Sequence, residues 1–189
     1  MKRKAMDLLK KWKSDIDRKP LVLKGARQVG KTWLMKSFGE ECYDDYIYIN
    51  FDEEEQISSI FKENKDPFRI VELLGMIKGK RIEPLKHLII LDEIQECPEA
   101  LNTLKYFCEN ANDYHIIAAG SLLGTLLAQP KSYPVGKVNI LNIYPLSFEE
   151  FLNANDESLY EYYNSIHRGS KIESIFHNKL SDMYKQYLI

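Results

Sequence analysis

The spacing of apolar positions switches repeatedly along the chain, and each switch predicts an element. Met6, Leu9, Trp12, Lys13 and Ile16 fall at helical spacing over residues 4 to 16, with Lys2, Lys4, Lys10 and Lys11 largely opposite. This predicts an amphipathic helix packed on a domain with a solvated basic face, a membrane-surface or nucleic-acid contact being the sharper alternative. Pro20 ends it, and L-V-L-K at 21–24 starts a strand. A helix over 31–38 stops at Gly39, and Y-I-Y-I-N-F at 46–51 is a β-rich run closed by Asp52. Helices over about 53–63 and 67–78 follow as a crossover on one face, the second opening at Pro67 and leaving through Gly79. H-L-I-I-L at 87–91 is continuous rather than alternating, as in a strand buried on both faces of a parallel sheet, and it ends in Asp92 and Glu93.

The pattern then repeats. A helix over 98–111, a strand over 114–119, the pair Gly120 and Ser121, and a helix over 122–127 again give strand, polar strand end and helix. A turn-rich loop at 131–136 leads to the alternating run 138–143, a fifth strand nearer an edge. Ser147 and Glu150 stand at capping-box spacing for a short helix. Residues 156–189 read as two helices, with Ile172, Ile175, Phe176, Leu180, Met183, Tyr184, Tyr187 and Leu188 as an apolar stripe. Strands alternating with helices over the first 150 residues predict a three-layer α/β fold, its ligand site at the carboxyl ends of the strands.

Composition narrows the classes. A chain of 189 residues suits one domain with a small appendage and buries roughly 70% of its unfolded surface. Hydrophobic residues at 44%, charged residues at 29% and a net charge of -2 lack the basic excess of a dedicated nucleic-acid binder. Cys42, Cys97 and Cys108 form no C-x-x-C pair, so free thiols and a cytoplasmic location are expected. The basic start runs straight into mixed residues, and no apolar span approaches membrane length, so neither a signal peptide nor a membrane helix is expected. His87, His115, His167 and His177 have no partners at metal-ligand spacing and read as structural. The tyrosines at 160–163 read as packing.

The chemistry begins where the first strand ends. Gly25, Gly30, Lys31 and Thr32 have the spacing of a Walker A loop, whose backbone N–H groups cradle phosphates. Glycine lets the backbone curl around an anion, and the helix starting after Gly30 aims its unpaired N–H groups at it. The loop Gly25, Ala26, Arg27, Gln28, Val29, Gly30, Lys31 and Thr32 is therefore the expected ATP-binding set, with Mg²⁺ held by Thr32 and Asp92. A strand-to-helix turn that happens to hold two glycines is the bland alternative. Asp92 and Glu93 emerge at the same sheet edge: the first acid suits the metal and the second suits a general base for the attacking water. An ordinary polar strand end remains the other reading of that pair. Ser121 ends the next strand, where it serves as a γ-phosphate contact, a helix N-cap, or both. Glu93, Lys31 and Ser121 are thus the candidate catalytic residues. The fold class becomes a three-layer P-loop NTPase fold with a mainly parallel five-stranded sheet, followed by a helical extension.

The segment Gly25 to Thr32, L-I-I-L-D-E-I-Q at 88–95, A-G-S at 119–121, G-K-V at 136–138 and Y-P-L-S-F-E-E-F at 144–151 together resemble the prokaryotic AAA+ type ATPases that join an ATP-binding module to a C-terminal domain of unknown function. The likeness covers about residues 3 to 189, and the Y-P-L-S-F-E-E-F block is its most specific part. It implies that Lys31 and Thr32 bind nucleotide and Mg²⁺, that Asp92 is the Walker B acid, Glu93 the catalytic glutamate and Ser121 the first sensor. It also implies an ATPase domain over 1–153, and over 154–189 a helical extension that opens a C-terminal region continuing past this chain. Many members of that group have Gly-Arg where this chain has Gly136 and Lys137, and a lysine lacks the bidentate fork of arginine.

The expected activity is Mg-dependent ATP binding and hydrolysis that drives or gates a partner domain. A nucleotide-state switch with negligible turnover is the alternative. A P-loop kinase fits less well, because no arginine-rich lid stands between residues 121 and 145. Whether the partner is protein or DNA, whether copies form a homo-oligomer, and whether Arg69, Arg81 or Arg168 completes a neighbour's site are left open by the sequence.

Overall fold

The strands are β1 (Leu21–Lys24), β2 (Asp45–Asn50), β3 (His87–Asp92), β4 (His115–Gly120) and β5 (Asn139–Asn142). In the computed structural model, which describes residues 3–121 and 136–188, they form one sheet in the order β2-β3-β4-β1-β5. Every neighbouring pair is parallel. All carboxyl ends therefore lie along one edge, with Lys24 level with Gly120 and Asn142, and Asn50 level with Asp92. The helix expected over 122–127, and all of the loop at 131–136 except Gly136, lie outside the described residues.

Both faces of the sheet are covered. Helices α1 (Lys4–Ser14) and α2 (Lys31–Cys42) bury Leu9, Trp12, Leu34, Met35 and Phe38 against Leu21, Leu23, Leu88, Ile90, Ile117 and Ala119. On the other face α3 (Ser58–Glu63), α4 (Pro67–Lys78) and α5 (Pro98–Asn110) pack Phe61, Ile70, Leu74, Leu101, Leu104 and Phe107 against Val22, Ile49, Ile89, Leu91, Ile116 and Ala118. Successive strand residues point to opposite faces, so a strand apolar at every position can be buried on both, which is why β3 reads as a continuous run.

Four local expectations shift. The first helix ends at Ser14, because Asp15 is extended and its carboxylate accepts from the Asp17 N–H at 2.9 Å. Ile16, expected on the apolar face, is consequently 91% exposed. Helix α2 does not stop at Gly39 but runs to Cys42. Gly39 is there for packing: a Cβ would sit 2.8 Å from the Tyr46 ring of β2, closer than real contacts allow. The stretch 53–63 is a short 3₁₀ turn (Glu55–Ile57) followed by α3 rather than one helix. Strand β2 closes at Asn50, one residue before Phe51.

Three lysines of α1 are tied down. Lys4 pairs with Glu149, Lys10 with Glu41 at 3.0 Å, and Lys13 donates to the Cys42 carbonyl. After β5 come α6 (Phe148–Asn155), α7 (Glu157–Ser165) and α8 (Ser174–Tyr187). Ser147 and Glu150 form the expected capping box. The tyrosines pack as read: Tyr163 meets Phe148 edge-on and Tyr162 stacks on Phe176 at 4.0 Å. Helix α8 lays Tyr184 and Tyr187 against Phe148 and buries none of its residues, leaving Ile175 and Leu188 largely exposed.

Candidate functional site

The loop after β1 is fixed by close backbone approach. Gly25 lies so near the Ile143 carbonyl that a Cβ would fall 2.3 Å from its oxygen, and the Ile143 N–H donates to the Lys24 carbonyl at 2.7 Å. The chain then turns through Gln28 and Gly30, both left-handed at φ 63° and 85°, and Gly30 caps α2. Such a turn exposes successive N–H groups on one concave side, the geometry that holds an anion. Lys31 is buried. Its Nζ donates to the carbonyls of Gly25 at 3.0 Å and Ala26 at 2.7 Å. Burial pulls its pKa below the ordinary lysine value, and Glu93 and Asp92 push back.

Sheet order explains what faces this loop. Strand β4 lies between β1 and β3, so Ser121 emerges between the loop and the two acids. Asp92 is 2% exposed. Its Oδ2 accepts from the Thr32 hydroxyl at 2.6 Å and from the Tyr48 hydroxyl at 3.1 Å, and its Oδ1 from the Glu93 N–H at 3.0 Å. Glu93 has left-handed backbone, φ 48° and ψ 45°, and its Oε2 accepts from Gln95 Nε2 at 2.5 Å. A non-glycine residue held there is strained, a feature that gathers at functional sites. The Ser121 hydroxyl is buried, with no hydrogen-bond partner among the described residues.

These groups line an open cleft of about 440 Å³, formed by Arg27, Gln28, Gly30, Lys31, Thr32, Trp33, Glu93 and Ser121. The structure thus brings Lys31, Thr32, Asp92, Glu93 and Ser121 together from three strand ends. A phosphate chain with its ion fits them on three grounds: left-handed loop backbone, a lysine whose only acceptors among the described residues are loop carbonyls, and an orphaned hydroxyl. Among the described residues no three His, Cys, Asp or Glu side chains converge. Mg²⁺ takes one or two carboxylates and phosphate oxygens rather than a protein cage, and Asp92 and Thr32 offer one carboxylate and one hydroxyl to such an ion.

Lys137 lies elsewhere. It precedes β5, at the opposite edge of the sheet, and pairs with Glu109 at 2.9 Å. It does not reach the cleft of its own chain. Arg69 pairs with Glu72 on α4.

The spacing of motifs does not reveal three contributors. Tyr48 comes from β2, where it reads only as a strand residue, and Lys36 Nζ sits 3.7 Å from its ring centroid. Trp33 follows the loop and is 40% exposed in the cleft. Arg3 is buried behind the loop, donating to Glu150 Oε1 at 3.2 Å, the Val29 carbonyl at 3.3 Å and the Tyr144 carbonyl at 2.9 Å. Glu150 also accepts from the N–H groups of Lys4 at 2.8 Å and Ser147 at 2.9 Å. Burial raises its pKa, but these two N–H groups and Arg3 outweigh that and hold it below the usual carboxylate value. The capping-box spacing was a signal for Glu150; nothing marked Arg3 as its partner.

A parallel sheet with a phosphate loop at its carboxyl edge, facing a strand-end acid and a further acid beside it, defines a P-loop NTPase module of the ATPase type. The chain belongs to the AAA domain family, which it matches over residues 17–152. It is 26% identical over 161 residues to MJ1544, an uncharacterized protein of Methanocaldococcus jannaschii, a match covering 84% of this chain and 34% of the relative. In structure it is similar to the Walker-type ATPase PABY2304 of Pyrococcus abyssi, with a TM-score of 0.52, 20% identity and coverage of 88% of this chain and 60% of that one. This chain spans about a third of the length of MJ1544. No helix among the described residues is long and apolar enough to cross a membrane.

Proposed function

We propose that this chain binds Mg-ATP in the cleft and hydrolyses it, and that the nucleotide cycle drives or gates a partner domain. The observation that carries this is the 2.6 Å contact of Asp92 Oδ2 with the Oγ1 of Thr32, which lines the cleft beside Lys31, Glu93 and Ser121. Those two oxygens are the hard ligands that Mg²⁺ takes, and the ion, when bound, supplies charge against the β and γ phosphates. Lys31 exchanges its two carbonyl acceptors for phosphate oxygens. Glu93 takes the proton of the attacking water, and the Ser121 hydroxyl gains the partner it lacks. We assign the ATPase module to residues 1–153 and the helical extension to 154–189, in the cytoplasm.

A switch with negligible turnover is the second reading, and one contact favours it: Gln95 Nε2 donates to Glu93 Oε2 at 2.5 Å, occupying one oxygen of the proposed base. One assay separates the two. Trp33 fluorescence reports nucleotide binding, and phosphate release with no added acceptor reports hydrolysis. Lys31→Ala should weaken ATP binding by at least about tenfold, since it removes a charge-assisted bond to phosphate. Glu93→Gln should bind ATP and release no phosphate. Unchanged affinity in the first variant refutes the phosphate-loop assignment; tight binding with no wild-type turnover leaves the switch.

A further inference from the structure

Transfer of the γ-phosphoryl group to water spreads negative charge over its outer oxygens, and a planar guanidinium meets two such oxygens at once where an ammonium meets one. The arginines of this chain differ sharply in what they are free to do. Arg3 is buried with three acceptors, Arg18 donates to the Asn112 carbonyl at 2.9 Å, and Arg69 pairs with Glu72. Arg81 lines a groove beside α4, and Arg168 lies in the turn before α8. Arg27, like Arg81 and Arg168, makes no hydrogen bond or ion pair among the described residues, and its place sets it apart from those two: it is exposed and lines the cleft with Lys31, Glu93 and Ser121. Its backbone position is set by the Gly25 approach to Ile143 and the left-handed Gln28, so the unpaired cation is anchored inside the phosphate loop itself. Lys137 is tied to Glu109 at the far edge of the sheet.

We propose that Arg27 is a catalytic residue acting within its own chain, its guanidinium meeting the γ-phosphoryl oxygens of bound ATP. The assignment rests on the ATPase reading of the cleft. In the step it assists, a bond forms from the water oxygen to the γ-phosphorus as the bond from that phosphorus to the β–γ bridging oxygen breaks. The water proton goes to Glu93, and ADP and inorganic phosphate leave. Arg27 stays protonated throughout and contributes charge alone.

The test compares wild type, Arg27→Ala and Arg27→Lys in steady-state hydrolysis, in ADP binding by Trp33 fluorescence, and in formation of a complex with ADP and aluminium fluoride, which mimics the transferring group. Arg27→Ala should lower kcat about 10³-fold while ADP affinity stays within about threefold, because ADP lacks the group that Arg27 meets. Arg27→Lys should recover little of that loss, the fluoride complex should form with wild type only, and wild-type specific activity should not rise with protein concentration. Arg27→Ala retaining more than about a third of wild-type kcat overturns the assignment. So does activity regained on mixing Arg27→Ala with Glu93→Gln, which would place the arginine in a neighbour's site. If wild type binds ATP without turnover, the fluoride complex decides, and its persistence in Arg27→Ala again overturns the proposal. Failure of wild type to bind any nucleotide sinks the ATPase reading first and this one with it.

Discussion

Replacing Arg3 with methionine keeps the length and apolar stem of the side chain and removes its guanidinium. The Arg3 and Glu150 side chains are 6% and 8% exposed. Breaking a buried ion pair from one side costs about 3–5 kcal/mol, because the remaining charge stays desolvated. Glu150 keeps the N–H groups of Lys4 and Ser147, which places the loss near the lower end, about 3 kcal/mol. The carbonyls of Val29 and Tyr144 each lose a donor as well. Against a total stability of about 5–15 kcal/mol this is large, and for a chain of this size it lowers Tm by about 9 °C.

Denaturant unfolding of wild type, Arg3→Met, Glu150→Gln and the double variant closes a thermodynamic cycle. The double variant should cost less than the sum of the two single ones, with a coupling of about 1.5–3 kcal/mol. The pH dependence adds an independent reading. Glu150 has its folded pKa lowered below the unfolded 4.5, so its contribution is complete above about 4.5 and is lost as pH falls through the folded value. Arg3→Met should make that acid-side loss shallower. An Arg3→Met variant that loses less than about 1 kcal/mol, with additive behaviour against Glu150→Gln, refutes the pair as a joint of the fold.

Two further outcomes are expected. Burial, with Arg18 and Lys13 nearby, pulls the His115 pKa down to about 4, so the folded ring stays neutral while the unfolded one protonates near 6.5. Stability should therefore fall by up to about 3 kcal/mol between pH 6.5 and 4, a slope that His115→Gln removes in a series of melting curves; a wild-type Tm flat across that window contradicts it. Tyr48→Phe takes one hydrogen bond from Asp92 Oδ2 and should raise the Mg²⁺ concentration needed for nucleotide binding about tenfold, with binding in EDTA unchanged. An unshifted Mg²⁺ titration would show that Thr32 and the Glu93 N–H position the carboxylate without it.

What was legible in the sequence is what is encoded locally. The loop from Gly25 to Thr32 brings its own backbone and helix start, and β3 with Asp92 and Glu93 reads from one apolar run and two acids. Sheet placement follows from the parallel alternation, which puts every strand end at one edge. Glycine was read less well, because one residue type answers different needs. Gly79 ends α4 in left-handed backbone, whereas Gly39 continues α2 and makes room for Tyr46. Only the neighbour across the packing layer distinguishes them. Ile16 failed for a related reason: apolar spacing continues past Ser14, but the Asp15 side chain offers the Asp17 N–H a turn that the helix does not.

The remaining gap concerns side chains that meet across the fold. Arg3 and Glu150 stand 147 residues apart, and Tyr48 and Asp92 44 apart. Each pair forms because a strand or helix end delivers both partners to one place, and the identity of the partner leaves no mark in the local pattern. Asp92 was legible as a strand-end acid from its own position, while the Tyr48 hydroxyl that donates to it comes from a strand whose alternation merely says that Tyr46 and Tyr48 share a face. The same holds for charge. Lys137 and Arg27 look equally available in the sequence, and what separates them is that Glu109 neutralises one at the amino-terminal edge while the other, unpaired among the described residues, stands at the edge where the Gly25–Thr32 loop, Asp92 and Ser121 converge. Residue type thus limits which chemistry a position can perform, and the order of parallel strands decides which of those positions share a site.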